Sequence, residues 1–301
     1  MAQRVLVEPF RARQRGLVPL VACLALACSK PEAEPAASCS SLQFLPVLAE
    51  PEQEGYVCFA FAVAQSQGPL ASLTWDLTSH GGVGLHHAAL YTTAEERPLS
   101  GPFSCDPMPV DALAVHVGVP GSEVFSLPPS MGLELSHKAR TLIVEAHAYR
   151  ADGNAAGQAS VSLCSAAGAP ATLAGRFAVG APVPAIRPHT VEVSTALCRV
   201  PADVRLLYSW PHMHRSGREF RAALLRDEQR LPLLEVSNWD FTHQVTYETG
   251  VDARAGDLIE TTCVWENDSD EYVLPGLLSA NEMCTHGVTA YPAHRAYCDP
   301  Q

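Results

Sequence analysis

The sequence lacks several features on which common functional classes depend. It has no long run of Lys and Arg and carries a formal net charge of −12, which argues against nucleic acid as a partner, because nucleic-acid binding rewards basic surfaces. No Gly-rich phosphate loop and no convincing Ser/His/Asp set are present, so nucleotide-dependent and hydrolytic functions have weak support. None of the ten cysteines forms a Cys-x-x-Cys pair, which argues against a zinc cluster or a thioredoxin-type motif.

Helical signals are also missing. No stretch shows a long, capped 3.6-residue period, and 24 prolines disfavour helix interiors. Short strand-like runs are present instead, at residues 56–63, 141–146, 159–164 and 191–193. Gly and Pro turn signals separate them, and many short strands at this spacing are typical of sandwiches. We therefore expect an all-β protein, and its body of about 260 residues suits two domains.

The start of the chain predicts export. Residues 1–27 carry four arginines and one Glu, followed by a short apolar run at 17–27, which is typical of a secretory signal peptide. The run is too short to remain as a membrane-spanning helix. Removing this signal from a chain of net charge −12 leaves a mature chain of −15, and this acidity mainly indicates solubility.

Two cysteines near the signal predict a lipid anchor. Residues 25–28 resemble a lipoprotein cleavage box with Cys28 as the lipidated residue, and Cys23 ends a rival box. An ordinary secretory signal with incidental cysteines is the alternative. Residues 28–41, rich in Ala, Pro, Ser and Glu, are predicted to form a flexible tether. We expect a periplasmic or outer-membrane lipoprotein that touches the membrane through its lipid only.

Eight cysteines lie beyond the predicted signal. An even number behind a secretory signal predicts disulfides in an oxidising compartment, while the sequence alone leaves their connectivity open. They are Cys39, Cys58, Cys105, Cys164, Cys198, Cys263, Cys284 and Cys298.

Candidate metal ligands centre on a His-x-His pair. Side chains two apart on a β-strand project from the same face, so His212 and His214 can reach one metal ion. Such a pair often arises by chance, so it becomes a strong signal only with other ligands. Further candidates are His86, His87, His147 and Met283.

These residues lie in blocks that resemble the copper type II, ascorbate-dependent monooxygenases, a family that includes peptide α-hydroxylating and dopamine β-hydroxylating enzymes. No single block is decisive, but five in the same order and at similar spacing are a strong signal, and the resemblance covers roughly residues 40–300. The blocks are residues 84–91 with the His-His pair, 142–147 with the third histidine, 211–217 with His-x-His-x-x-Gly, 256–265 and 281–284.

The resemblance implies two antiparallel, jelly-roll-like β-sandwich domains, residues 42–168 and 169–301, with one copper site in each and a cleft between them. The first site would comprise His86, His87 and His147. Adjacent side chains of a regular strand point to opposite faces, so joint ligation by His86 and His87 needs a bulge or a strand end. Taken alone, His147 in its apolar run favours a core histidine, and the matching family block reverses that preference.

The second site would comprise His212, His214 and Met283. A thioether is a soft ligand that favours Cu(I), whereas zinc sites are built mainly from Cys, His and carboxylates. The alternative for Met283 is core packing, because Met commonly fills gaps. The remaining histidines are expected to be structural or at the surface, although His286 is close enough to Met283 in sequence to line the cleft.

The activity implied by the resemblance is hydroxylation of a C–H bond of a small substrate with O2 and a one-electron donor such as ascorbate. His212, His214 and Met283 would form the catalytic, oxygen-reactive copper site, and the first copper site would supply the second electron. The alternative is a non-catalytic periplasmic copper-binding lipoprotein, although five Met are few for a copper carrier. A degenerate family member acting as a binding module is a third possibility, and we expect a monomer.

The resemblance also implies disulfides. It pairs Cys58 with Cys105, Cys198 with Cys298 and Cys263 with Cys284, which leaves Cys39 with Cys164. A further bridge common in the family is missing, since Thr93 stands where one of its cysteines would be.

Two positions bear on the substrate. The peptide-amidating branch holds its substrate carboxylate with an Arg two residues before the first His of its His-x-His block and a Tyr four residues after the ligand Met. Here Trp210 and Gly287 occupy these positions. We therefore expect a small, largely apolar substrate that lies against Trp210, unless Trp210 only packs in the core. If a carboxylate is held, Arg215 or Arg218 are the candidates.

Overall fold

The computed structural model describes residues 38–46, 54–63, 68–77, 83–97, 101–106, 108–109, 111–135, 138–150, 159–166 and 168–293. Regular secondary structure in these residues is entirely β, so the predicted all-β class is confirmed. No helix in this part of the chain has the length and apolar character needed to cross a membrane. The predicted signal peptide, Cys23 and Cys28 lie outside the described residues, and export and lipidation stay predictions.

The strands are numbered in chain order. In the described residues before 167 they are β1 (Cys39–Phe44), β2 (Glu54–Ala62), β3 (Leu70–Leu77), β4 (Val83–Thr93), β5 (Phe103–Ser104), β6 (Leu113–Gly118), β7 (Gly121–Ser126), β8 (Met131–Leu133), β9 (Thr141–Arg150) and β10 (Ala159–Ser165). After residue 168 they are β11 (Thr172–Gly180), β12 (Thr190–Arg199), β13 (Val204–His212), β14 (Gly217–Arg226), β15 (Gln229–Val236), β16 (Tyr247–Ala253), β17 (Leu258–Asn267) and β18 (Thr285–Tyr291).

The first sandwich packs the five-stranded sheet β5-β2-β9-β4-β6 against strands β1, β10, β3 and β7. Strand β10 shows how the pattern directs this packing, because buried residues alternate with partly exposed ones along it. Its inward residues Val161 and Leu163 are fully buried beside Trp75 of β3 and Val144 of β9. The strand predicted at residues 159–164 is therefore confirmed. The tether predicted to reach residue 41 ends earlier, because β1 begins at Cys39 and pairs with β10.

The second sandwich packs the four-stranded sheet β12-β17-β14-β15 against β11, β18, β13 and β16. Strand β17 alternates strictly between buried and partly exposed residues over its ten positions. Its inward residues include Ile259 and Trp265, which are fully buried with Phe220 of β14 in one apolar core. This core fixes the strands that lead into and out of the His-x-His segment.

Strand β11 joins the sheets of the two sandwiches. Its first residues pair in parallel with β8, and its remaining residues pair antiparallel with β18. The result is one nine-stranded sheet in the order β1-β10-β3-β8-β11-β18-β13-β16, with β7 attached to β3. Residues Pro35–Gln301 form one compact unit, and the division into domains 42–168 and 169–301 stays a prediction.

Three predicted disulfides are present: Cys39–Cys164, Cys58–Cys105 and Cys263–Cys284. Cys198 is also disulfide-bonded, and its predicted partner Cys298 lies outside the described residues. The Cys263–Cys284 bridge ties β17 to the residue that follows Met283 and so holds the end of the Met283 loop against the second core.

Candidate metal centre

A β-bulge brings the adjacent histidines of β4 to one side. Leu85 pairs with Ala148 and His87 pairs with His147, so His86 is the extra residue of the bulge between β4 and β9. The ring centroids of His86 and His87 each lie 5.0 Å from that of His147. The irregular backbone that joint ligation requires is therefore present, and the three predicted ligands of the first site lie together.

Aromatic contacts hold the His86 ring in place. It stacks on Tyr149 with centroids 4.3 Å apart and packs against Phe241 at 4.7 Å. A Cβ atom on Gly84 would lie 2.1 Å from Cζ of Tyr149, so the glycine is required for this close approach. The role of Gly84 is therefore to leave room for the Tyr149 ring.

The His-x-His segment leaves the strand between its two histidines. Strand β13 ends at His212, and His214 lies in the turn that follows. Their rings nonetheless lie 5.1 Å apart, nearly perpendicular at 85°. Strand alternation instead accounts for Trp210, whose ring stacks on His212 with centroids 5.1 Å apart. The turn is held by Trp239, whose Nε1–H donates to the His214 carbonyl at 3.0 Å.

Hydrogen bonds fix the tautomers of the second pair. Nδ1 of His212 lies 2.6 Å from Oε1 of Gln244, and Nδ1 of His214 lies 3.1 Å from the carbonyl oxygen of Asn281. Because a carbonyl oxygen only accepts, each Nδ1 is the protonated nitrogen and each Nε2 carries the lone pair. This is the usual arrangement around metal-bound histidines, and it leaves both Nε2 atoms available as ligands.

The Glu282 carboxylate fastens the His-x-His turn to the Met283 loop. Its oxygens accept the backbone N–H groups of His214 at 2.9 Å, Ser216 at 2.6 Å and Met283 at 3.3 Å. Burial raises the pKa of this carboxyl to about 7, against the lowering effect of these donors. Glu282 belongs to the sequence block 281–284, but the sequence pattern indicates no role for it. Its position explains how two distant segments are held together at the site.

A cavity of about 920 Å³ opens beside these residues. Met283 lines it together with His87, His212 and Trp210. Trp210 is 7% exposed and also contacts Ala89 and Val117, so it both packs in the core and forms part of the cavity wall. The predicted thioether ligand therefore faces the same space as one histidine from each predicted site.

The two predicted ligand sets adjoin. The ring centroids of His87 and His212 are 5.2 Å apart, and those of His147 and His214 are 6.3 Å apart. The structure thus shows five histidines in one continuous cluster, where the resemblance implied two sites facing each other across a cleft. The number of metal ions that the cluster holds stays a prediction.

All five histidines are buried, and burial is the main cause that lowers their pKa values. The pKa falls to about 4 for His86 and His147 and to about 3 for His212. It falls well below the ordinary value for His87 and is also lowered for His214. The rings are therefore neutral at pH 7, which is the form that binds a metal.

Several ring nitrogens have no hydrogen-bond partner among the residues described, although they are buried. They are Nε2 of His86, Nδ1 of His87, Nδ1 of His147 and Nε2 of His214. Buried polar atoms are normally satisfied, so this set needs an explanation. Neutral imidazoles with free lone pairs beside a thioether suit copper, and the donor set present fits that metal.

The other described histidines have ordinary roles. His286 is fully buried, with Nδ1 at 3.0 Å from Thr261 Oγ1 and Nε2 at 2.9 Å from Ser209 Oγ. It packs in the second core, so the suggestion that it lines the cleft is wrong. His116 accepts a hydrogen bond from Trp75 Nε1 in the first core, and His189 and His243 are exposed. His80, His137 and His294 lie outside the described residues.

A carboxylate missed by the sequence analysis lies among the first three histidines. Oε1 of Glu54 is 2.7 Å from Nε2 of His147 and 3.8 Å from Nε2 of His86. Burial raises the pKa of Glu54, but hydrogen bonds from Ser279 and the nearby His147 outweigh it, so the pKa is lowered. The signal for Glu54 lies in strand pairing, because β2 runs beside β9, and the sequence alone does not show which strands pair.

An arginine of β11 was also missed. Arg176 lines the cavity, and its Nη2 would lie 3.3 Å from a Cβ atom on Gly287, which would also touch Trp210. Burial lowers its pKa to about 10, so it stays charged at neutral pH. The arginines considered from sequence lie elsewhere: Arg215 is over the Phe241 ring, and Arg218 forms ion pairs with Glu266 and Asp268.

The fold and site together define an all-β protein with a buried, neutral histidine centre that opens on a cavity beside a thioether. Residues 173–300 match the family described as copper type II ascorbate-dependent monooxygenase, C-terminal domain. This match confirms the resemblance seen in the sequence for residues 173–300. The matched segment carries His212, His214 and Met283, while the histidines of β4 and β9 precede it.

Other comparisons add little. No curated protein matches the chain. Among solved structures, one of PNGF-II matches with a TM-score of 0.28 and 8% sequence identity, covering 86% of this chain. The chain spans 60% of the length of that structure. A likeness at this level supports no conclusion about function.

Proposed function

We propose that this protein is a copper-dependent monooxygenase that hydroxylates a C–H bond of a small substrate with O2 and a one-electron donor such as ascorbate. The observation that supports this most directly is the shared cavity, in which Met283 and His212 line the same space as His87. The family of residues 173–300 uses copper and ascorbate. The fit of the donor set to copper adds to this, because neutral imidazoles with buried, unpartnered nitrogens adjoin a cavity that a thioether also lines.

The stoichiometry of the overall reaction defines the tasks that the protein must perform. A substrate R–H, O2, two electrons and two protons give R–OH and water, so two molecules of a one-electron donor are consumed in each turnover. Bound copper would supply O2 activation and single-electron transfer. The chain itself must position the substrate C–H bond and keep the ligand side chains in one arrangement.

The chain's own residues account for these tasks. His86, His87 and His147 would hold one copper, and His212, His214 and Met283 the other. Gln244 and the Asn281 carbonyl hold the second pair of rings with Nε2 free. Trp210 offers a flat apolar face next to His212 for the body of the substrate.

Copper loading followed by oxygen uptake tests this function. We expect two copper ions per chain, and oxygen consumption that requires ascorbate together with a pool of small oxidisable compounds. Hydroxylated product should match oxygen consumed one to one, because each O2 delivers one oxygen atom to the substrate. Copper binding without substrate-dependent oxygen uptake would favour the non-catalytic copper-binding alternative. A stoichiometry near one, or retention of zinc against copper, would contradict the two-site arrangement.

Within this function we propose a substrate that is small, has an apolar body and carries an anionic group. Trp210 accounts for the apolar body. The guanidinium of Arg176 accounts for the charge, because it lies against Trp210 and Gly287 and donates one N–H to the Val115 carbonyl at 2.7 Å. Its planar donor array suits a carboxylate, which supplies the contact that Trp210 and Gly287 themselves lack.

A panel of substrates matched in size tests the preference of the site for an anionic group. We expect an aromatic carboxylate to be turned over with a kcat/KM at least about tenfold above that of a phenethylamine-like compound of the same size. Arg176→Met should remove most of this difference while copper content stays unchanged. A faster amine would contradict the charge assignment and leave the monooxygenase function standing. Efficient hydroxylation of glycine-extended peptides would contradict the small, largely apolar substrate.

A further inference from the structure

We propose that Glu54 is an oxygen ligand of the first copper site, completing the set formed by His86, His87 and His147. This inference rests on the proposed function, because it concerns the same copper. Nothing in the His-His and third-histidine blocks indicates it, since Glu54 lies on another strand, at the start of β2.

The position of one carboxylate oxygen carries the proposal. Oε1 of Glu54 lies 2.7 Å from Nε2 of His147 and 3.8 Å from Nε2 of His86. Both nitrogens are buried, and Nε2 of His86 has no hydrogen-bond partner among the described residues, whereas Nε2 of His147 contacts the Glu54 oxygen itself. The carboxylate oxygen therefore lies at hydrogen-bond distance from one ring and 3.8 Å from the other, where it is placed to join both imidazoles at a metal ion.

Hydrogen bonds from Ser279 orient the Glu54 side chain for this role. Ser279 donates its backbone N–H to Oε1 at 2.9 Å and its hydroxyl to Oε2 at 2.8 Å. Such contacts orient metal-binding carboxylates in general. Ser279 is itself 1% exposed, so the partly buried carboxylate, 20% exposed, is anchored by a buried residue.

The adjoining part of β2 supports the same arrangement. The ring of Tyr56 stacks on His147 with centroids 4.2 Å apart, and its hydroxyl donates to the Leu277 carbonyl at 2.7 Å. β2 thus contacts the segment that precedes Met283 at two points: Tyr56 bonds to Leu277, and Glu54 bonds to Ser279. The carboxylate is held between the first set of histidines and the loop that carries the ligand of the second site.

Ligand chemistry sets the expected result. A carboxylate is a hard donor and stabilises Cu(II) more than Cu(I). Glu54→Gln keeps the shape of the side chain and removes its charge. We therefore expect its Cu(II) affinity to fall about 10–100-fold, with a change of less than about threefold for Cu(I). The Cu(II) electron paramagnetic resonance spectrum should lose the contribution of an oxygen donor.

The measurement is made in a full-length His212→Ala/His214→Ala background, in which the first site binds the copper. Chelator competition gives the two affinities for this parent and for the parent carrying Glu54→Gln. Ser279→Ala, which loosens the carboxylate without removing it, should give an intermediate loss. Retained copper at the second site of the single Glu54→Gln variant shows that the fold is intact.

The outcomes separate the two proposals. Cu(II) affinity within about threefold of the parent, with an unchanged spectrum, would overturn the ligand role of Glu54 and leave the monooxygenase proposal standing. Equal losses of Cu(I) and Cu(II) affinity without a spectral change would also overturn it, because they indicate a structural role. A parent that binds no copper would overturn the ligand together with the proposed function.

Discussion

Replacing Met283 by isoleucine is expected to abolish turnover while leaving the fold intact. The substitution nearly conserves side-chain volume, so the free energy of unfolding should change by less than about 1.5 kcal/mol. The thioether, however, has no substitute in an isoleucine side chain, and loss of a direct ligand should exceed the roughly 100-fold upper range seen for outer contacts of metal sites. We expect the turnover number to fall by more than this factor, measured as product formed after copper loading.

The copper content and a second methionine supply the controls. Met283→Ile should weaken Cu(I) binding more than Cu(II) binding, because the thioether is a soft ligand. Met131→Ile changes another partly buried methionine, which packs on the first core, and it should retain turnover close to the parent. Parental turnover in Met283→Ile would show that this methionine packs in the protein and binds no metal.

Glu282→Leu is expected to lower both stability and occupancy of the second copper site. Leucine fills similar space but accepts no hydrogen bond. The backbone N–H groups of His214, Ser216 and Met283 would then lose their acceptor in the protein interior. Each unsatisfied buried donor costs about 1–3 kcal/mol, so we expect roughly 3–5 kcal/mol in total, allowing for relaxation. Chemical denaturation of the copper-free chain measures the loss of stability.

Glu282→Gln is the matched control for this effect. It retains one accepting oxygen and replaces the other by an amide group that can only donate, so an intermediate loss of stability is expected. Copper bound at His212, His214 and Met283 should decrease in the order parent, Gln, Leu. A Leu variant within about 1 kcal/mol of the parent would mean that these N–H groups find other acceptors.

The sequence predicted those parts of the site that depend on local pattern. A strand-like run predicted β10, and the His86-His87 pair predicted a bulge or a strand end, because neighbouring side chains of a regular strand point to opposite faces; the structure shows the bulge. The disulfide Cys39–Cys164 also agrees with the pairing left by the family resemblance. The strand and the bulge follow from spacing along one segment, which a single sequence displays directly, whereas the disulfide pairing came from the family resemblance.

The parts of the site that the sequence did not predict depend on which strands become neighbours in the fold. Glu54 reaches the histidines because β2 pairs with β9, and Arg176 reaches Trp210 because β11 and β13 both pair with β18. Neither pairing has a local signature. The same limit explains His286, whose closeness to Met283 in sequence does not place it in the cavity, because its side chain packs against Thr261 and Ser209 instead.

The sheet that runs through β8, β11 and β18 has a consequence for the kinetics of substrate access. Swinging the two sandwiches apart would break main-chain hydrogen bonds on either side of β11, so a wide hinge opening is energetically disfavoured. Leu277 and Leu278 line the cavity from an exposed loop. Gating by that loop belongs to the nanosecond-to-microsecond range, whereas collective domain hinging takes microseconds to milliseconds. Under the proposed function, we expect the exchange of substrate and product to follow this faster, local range, with Leu277 and Leu278 as the side chains that meet them between solvent and cavity.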